Sequence, residues 1–176
     1  MNRVDLGFAR ITIERRHHAR IMEDHFGGSG AGRFHDAWSS PIELLSSPDV
    51  REALEAKISE IETHQNAKRT LDLPLPIGWS SFVDSTEVPA SKQRRIGHRK
   101  PWGGMMLKED ADLAIPASSR IAINGKLSRR AGRKPTLIIV SMYPGQNVGR
   151  LAEYRDITAQ LGLILVPYGH PGEPIE

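Results

Sequence analysis

Three histidines stand close together near the start of the chain, at His17, His18 and His25. Imidazole is the side chain whose ordinary pKa allows it to take and give protons near neutral pH. The surrounding segment 14–26, ERRHHARIMEDHF, lacks Gly and Pro and reads as a helix. On that helix His18, Ile21, Met22 and His25 fall at i, i+3, i+4 and i+7, so two imidazoles share a face with two apolar side chains. His17 points elsewhere. Two helical turns separate His18 from His25, roughly 10 Å along the axis, so the pair does not easily hold one metal ion. HExxH is absent, and neither a metal nor another cofactor is expected. Acid/base work by a single imidazole is the chemistry this pattern offers; the plain alternative is surface or helix-capping histidine.

Hydroxyls form a second group. Ser141 and Tyr143 lie in the most apolar stretch of the chain, and Ser85 and Thr86 precede a basic segment. RNA cleavage without a metal needs a base for the 2′-hydroxyl, an acid for the leaving oxygen, and cations or hydroxyl donors for the phosphorane-like charge. Histidine, Arg or Lys, and Ser, Thr or Tyr supply all three. Each hydroxyl alone also fits a structural role; a tyrosine at a strand end commonly packs its ring and keeps its OH wet.

Charge is unevenly spread. The formal net charge is +3, but residues 1–87 hold 10 basic and 14 acidic side chains, 88–150 hold 13 and 3, and 151–176 hold 1 and 4. The middle block is a candidate phosphate-binding surface. Its cations cluster in SKQRRIGHRKP at 91–101, with Arg94, Arg95 and Lys100, and in GKLSRRAGRK at 125–134, with Lys126, Arg129, Arg130, Arg133 and Lys134. Two solvated loops would give the same composition. PGQNVG at 144–149 lacks the Lys-Ser/Thr of a P-loop and is not GxGxxG, yet its amides could face an anion at the start of a following helix.

The elements that must position these groups centre on 120–169. TLIIVSMY at 136–143, bracketed by Pro135 and Pro144, has the length of a strand and apolar groups on both faces. Residues 120–124 alternate, so 120–143 reads as a hairpin with 125–134 as its charged tip. Leu151, Tyr154, Ile157 and Leu161 fall at helical spacing before Gly162, and 163–168 reads as a strand, which together suggest a βαβ unit. Upstream, FARITI at 8–13 reads as a strand. Ser47 and Pro48 open a helix whose Val50, Leu54, Ile58 and Ile61 form an apolar stripe. LDLPLP at 71–76 reads as an edge or extended link, and GWSSFV at 78–83 as a strand.

The fold class read from this pattern is α+β: two or three helices on a mainly antiparallel twisted sheet, with a C-terminal strand–helix–strand unit. The 176 residues make one domain, 1–176. The absence of cysteine excludes disulfides, thiolate zinc sites and a Cys nucleophile. No apolar run approaches the ~18–20 residues that cross a membrane, and none resembles a signal peptide, so a soluble protein is expected, cytoplasmic or exported as an effector.

Three stretches, RRHHARIMEDHF at 15–26, SSFVDST at 80–86 and KPTLIIVSMYPG at 134–145, resemble the small bacterial ribonuclease toxin domains of the barnase, EndoU, colicin and RelE-like group. The resemblance covers about half the chain. It implies a His-bearing helix on a twisted antiparallel sheet, His18 or His25 as acid/base, and Thr86 and Tyr143 at the scissile phosphate. The chain departs from that pattern after Pro144, where a helix and a strand are expected to follow. The resulting expectation is a metal-independent endoribonuclease, a toxin or effector, whose partners are RNA or another polyanion and an acidic immunity or inhibitor protein. Two alternatives stand beside it. One is a non-catalytic module that binds nucleic acid or protein through the basic 88–150 surface. The other is an α/β protein holding a phosphate-bearing small ligand at 144–149.

Overall fold

The computed structural model describes residues 2–27, 32–61, 66–97, 104–148 and 160–175. In chain order its first elements are β1 (Asn2–Asp5), β2 (Arg10–Ile13), α1 (Arg15–His25), β3 (Arg33–Phe34), α2 (Pro41–Ser46) and α3 (Pro48–Ser59). Strands β4 (Asn66–Asp72), β5 (Gly78–Trp79), β6 (Phe82–Asp84), β7 (Gln93–Ile96) and β8 (Gly104–Leu107) follow. The last are β9 (Ala117–Ser118), β10 (Arg120–Ser128), β11 (Thr136–Pro144) and β12 (Leu163–Leu165). The architecture is α+β with antiparallel-rich sheets, as the pattern predicts.

β11 is the middle of a five-stranded sheet ordered β1-β2-β11-β10-β4. Its pairing with β2 is parallel and all other pairings in that sheet are antiparallel. The β10–β11 hairpin forms as expected, but its tip is shorter: Gly125–Ser128 continue β10 instead of looping out. A register shift at Asn124/Gly125 places Ser141 opposite Asn124 and Ile139 opposite Gly125, leaving Val140 as the extra residue of a bulge. Glycine is required there because a Cβ at Gly125 would run into the Ile138 carbonyl.

The three helices cover one face of this sheet. α1 contributes Ile21, α2 contributes Leu44 and Leu45, and α3 contributes Val50, Leu54 and Ile58, all buried. They meet Ile11, Ile13, Leu71, Ile121, Ile123, Leu127, Leu137, Ile139 and Met142 in the main core. Each such side chain contributes ~1.5–3 kcal/mol by leaving water. The α3 stripe is therefore as the spacing predicts. Its start differs: the Ser47 hydroxyl donates back to the Leu44 carbonyl at 2.7 Å and does not cap α3. α2, which the periodicity does not announce, is opened by Ser40: the Glu43 amide donates to Ser40 Oγ at 3.2 Å, and the Glu43 carboxylate accepts the Ser39 amide at 2.8 Å. The S-x-x-E spacing of Ser40 and Glu43 is the local signature of such a start.

The remaining strands form two smaller sheets, β6-β12-β8-β7 and β3-β5-β9. Two expectations change here. The 78–83 segment is divided between the two sheets as β5 and β6, and the basic 91–101 segment contains β7, paired with β8, so it is not simply a solvated loop. The C-terminal strand–helix–strand reading also changes. β12 pairs with β6 and β8, in a different sheet from β11, so the two strands are not parallel neighbours. The expected helix between them falls almost wholly outside the described residues. Val83, Leu107, Ile115, Ile164 and Val166 make a second core around this sheet. No helix of the described residues is long and apolar enough to cross a membrane.

Candidate nucleic-acid interface

Strand alternation sends the neighbours of each buried residue to the opposite face of the five-stranded sheet, away from the helices. In β2, Arg10 and Thr12 alternate with buried Ile11 and Ile13. In β4, Lys68 and Thr70 alternate with buried Ala67 and Leu71. In β10, Asn124, Lys126 and Ser128 alternate with Ile123 and Leu127. Register then orders these residues in rows. Arg10, Thr136 and Ser128 lie side by side on β2, β11 and β10. Arg3, Thr12, Ile138 and Lys126 form the next row. Beyond the bulge come Ser141, Asn124 and Lys68, then Tyr143, Ala122 and Thr70.

The far row is covered and the near rows are open. Tyr143 packs with Phe82, Val148 and Leu163, so the second sheet adjoins that end. Arg3, Arg10, Lys68 and Lys126 are exposed. Two adjoining clefts cross the near rows. One, of about 430 Å³, lies over β1 and β2 and includes Arg3, Asp5, Arg10, Thr12 and Thr136. The other, of about 220 Å³, lies between Arg10, Ser128, Arg130, Arg133 and Thr136. Asp5 is the acidic group here. Its carboxylate accepts from Lys134 Nζ at 2.9 and 3.1 Å and lies 4.0 Å from Arg10. The Lys134 hydrogen bond and the Gly7 amide hold its pKa below the ordinary carboxylate value.

The basic tip therefore divides. Lys126, Arg130 and Arg133 are exposed and hold no hydrogen bond or ion pair through their side chains among the described residues. Lys134 is tied to Asp5. Arg129 turns the other way and closes α3, donating from Nε to the Ile61 carbonyl at 3.0 Å and from Nη2 to the Ile58 carbonyl at 2.7 Å. In β7, Arg94 pairs with Glu109 at 2.9 Å, and Arg95 is exposed on the same strand. Those two belong to the second sheet, not to this face. Lys100 lies outside the described residues.

Of the four expected catalytic side chains, two meet. His25, at the end of α1, has its ring centroid 6.0 Å from that of Tyr143. Pairing of β2 with β11 stops at Ile139, and α1 then packs against β11, which brings its last turn to the strand's C-terminal end. His25 Nδ1 hydrogen-bonds the Gly32 carbonyl. Burial lowers the imidazole pKa, opposed by that hydrogen bond, and burial raises the Tyr143 phenol, opposed by its hydrogen bonds to Val148 and Asn124. The pair is thus a neutral imidazole beside an un-ionised phenol at neutral pH. His18 is half-buried two turns earlier on the same helix face, with no hydrogen bond or ion pair from its ring among the described residues. Thr86 is exposed, and its hydroxyl donates to Asp84 at 2.7 Å. No contact joins Thr86 to His25 or Tyr143 among the described residues.

Of the 144–149 segment, 144–148 are described and are used internally, and Gly149 lies outside the described residues. The Gly145 amide donates to the Arg120 carbonyl at 2.8 Å, Asn147 to Thr70 Oγ1 at 3.0 Å, and Val148 to the Tyr143 hydroxyl at 3.1 Å. Those three amides are therefore not available to an anion. The Asn147 side chain continues the network to Asn124 Oδ1 at 2.7 Å, and Asn124 donates to Ser141 Oγ at 3.1 Å.

Arg3, Arg10, Lys68 and Asn124 belong to this face but do not stand out in the sequence. Their signal was the two-residue alternation with buried neighbours, which outranks local charge density. Among the described residues, no three His, Asp or Glu side chains converge as metal ligands. Compared with family models, curated proteins and solved structures, the chain finds no significant match.

Proposed function

We propose that this protein binds single-stranded RNA across the open face of its five-stranded sheet. The observation that carries the reading is the division of that sheet. One face is sealed under three helices, and the other presents Arg10, Lys68 and Lys126 in successive rows, with Arg130 and Arg133 at the end. A flat array of cations tracks a phosphate backbone, and the Thr, Ser and Asn side chains between them are donors for sugar and phosphate oxygens. Tyr143 is the aromatic of this face among the described residues, and it is half-buried. Stacking is therefore minor, and affinity rests on charge with little sequence preference.

The test is titration of a labelled RNA oligonucleotide into wild type and into Lys68→Glu/Lys126→Glu. Both lysines are exposed, so the variant should keep its fold while binding collapses. Equal binding by the two proteins, or no binding by wild type, refutes the reading.

A second reading is metal-independent phosphodiester cleavage, and the meeting of His25 with Tyr143 favours it. Cleavage requires RNA lying along the open rows to reach that half-buried pair at their covered end, where a neutral imidazole takes a proton and a phenol donates a hydrogen bond. On this reading the protein is a toxin or effector, and an acidic inhibitor protein would cover the same face. Incubation of RNA in EDTA separates the two readings. Cleavage that falls ~10²–10⁴-fold in His25→Ala supports catalysis, and intact RNA leaves binding alone.

A further inference from the structure

We infer that the cleft between β2, β11, β10 and the hairpin tip is a site for a terminal phosphate monoester, the anchor for one end of the RNA. This inference rests on the RNA-binding reading and names the part of the polymer that the cleft takes. Three observations lead to it.

The first is position. Ser128 and Thr136 are the last paired residues of β10 and β11, and Thr136 is also the first of β11 to pair with β2. The row Arg10–Thr136–Ser128 is thus the end of the open face, and the 129–135 connection stands beyond it. A chain entering from the Lys126 row meets this connection and stops. The second is charge. Arg10, Arg130, Arg133 and Lys134 line a space of about 220 Å³, and Asp5, bound to Lys134 and 4.0 Å from Arg10, is the acidic group beside it. A monoester carries ≈ −1.5 to −2 charge near neutral pH and three terminal oxygens, where an internal diester carries a single charge. The third is donor chemistry. Ser128 and Thr136 add hydroxyls to the guanidinium forks, which match phosphate oxygens in pairs. Asp5 positions this arrangement by holding Lys134 and lying 4.0 Å from Arg10.

From this row to the Tyr143 row is six residues along β10, or roughly 20 Å at ~3.3 Å per residue. A strand anchored at its end in the cleft would run past Lys126 and Lys68 towards His25.

The experiment compares three RNA oligonucleotides of one sequence: 5′-phosphorylated, 3′-phosphorylated and unphosphorylated. Each is titrated into wild type and into Arg130→Gln/Arg133→Gln, whose altered side chains are exposed. One phosphorylated form should bind wild type about tenfold more tightly than the unphosphorylated form, the size of one added charge-assisted contact. That preference should vanish in the variant: its affinity for the unphosphorylated form falls with the two lost cations, and its affinity for the preferred phosphorylated form falls about tenfold further. Which end gives the preference identifies the source of the phosphate. Equal binding of all three forms to wild type overturns the cleft proposal and leaves RNA binding intact. A parallel titration with inorganic phosphate, followed by amide shifts, covers the opposite case. Shifts at Ser128 and Thr136 that the variant lacks, with no RNA binding at all, would keep the site and remove RNA as its ligand. No such shifts and no preference among the RNAs overturn it.

Discussion

Arg129 and Ile58 are joined by a hydrogen bond of 2.7 Å, guanidinium to carbonyl, across 71 positions of sequence. With the bond to Ile61, it places a cation at the C-terminal end of α3, adding a second donor to the Ile58 carbonyl that already accepts the Ile61 amide at 3.1 Å. Arg129 is therefore part of the fold, although its neighbours Arg130 and Arg133 are surface cations. Arg129→Ala should lower stability by about 1.5–3 kcal/mol, as for hydrogen bonds made by a charged group. Urea unfolding measures this. If stability is unchanged, the cap contributes nothing.

Gly125 marks where β10 and β11 shift register. A side chain there meets the Ile138 carbonyl, whereas one at Gly97 meets no atom of the described residues within 4 Å. Gly125→Ala should cost about 1–3 kcal/mol, typical of overpacking that moves backbone. Gly97→Ala should be close to neutral in the same assay. Equal effects would mean that the hairpin absorbs the extra carbon and that the bulge is not fixed by glycine.

His25 gives a pH dependence whose sign follows from burial. Its folded pKa lies below its ordinary 6.5, so the unfolded chain takes up the proton first as pH falls. The stability associated with a neutral His25 is present above pH 6.5 and is lost as pH falls from there through the folded value. His25→Gln should flatten this decline on the acid side of pH 6.5. A decline of the same slope in the variant would assign it to other groups.

Much of the framework is legible in local sequence because it rests on local periodicity. The stripe Val50, Leu54, Ile58 and Ile61 forms one buried face, the His-bearing helix forms over Arg15–His25, and the Pro-bracketed strand forms over Thr136–Pro144. What is not legible depends on partners far away. Gly125 reads as a breaker until its opposite strand is known, and Gln93–Ile96 reads as part of a charged loop until β8 pairs with it. The same holds for the site. Counting charges by block draws attention to 88–150, yet Arg3, Arg10 and Lys68 come from the half with more acidic than basic residues. They join Lys126 only through sheet register. Conversely Arg94 and Arg129 lie in basic runs but are engaged by Glu109 and by the end of α3.

The most direct measurement is the salt dependence of RNA binding for wild type, Lys68→Ala/Lys126→Ala and Arg129→Ala. On a single strand, each phosphate neutralised contributes about −0.7 to the slope of log affinity against log salt. Removing Lys68 and Lys126 should make that slope shallower by about 1.4, while Arg129→Ala should leave it unchanged despite its lower stability. A slope unaffected by the loss of both lysines would contradict the claim that the open face of the sheet holds the RNA.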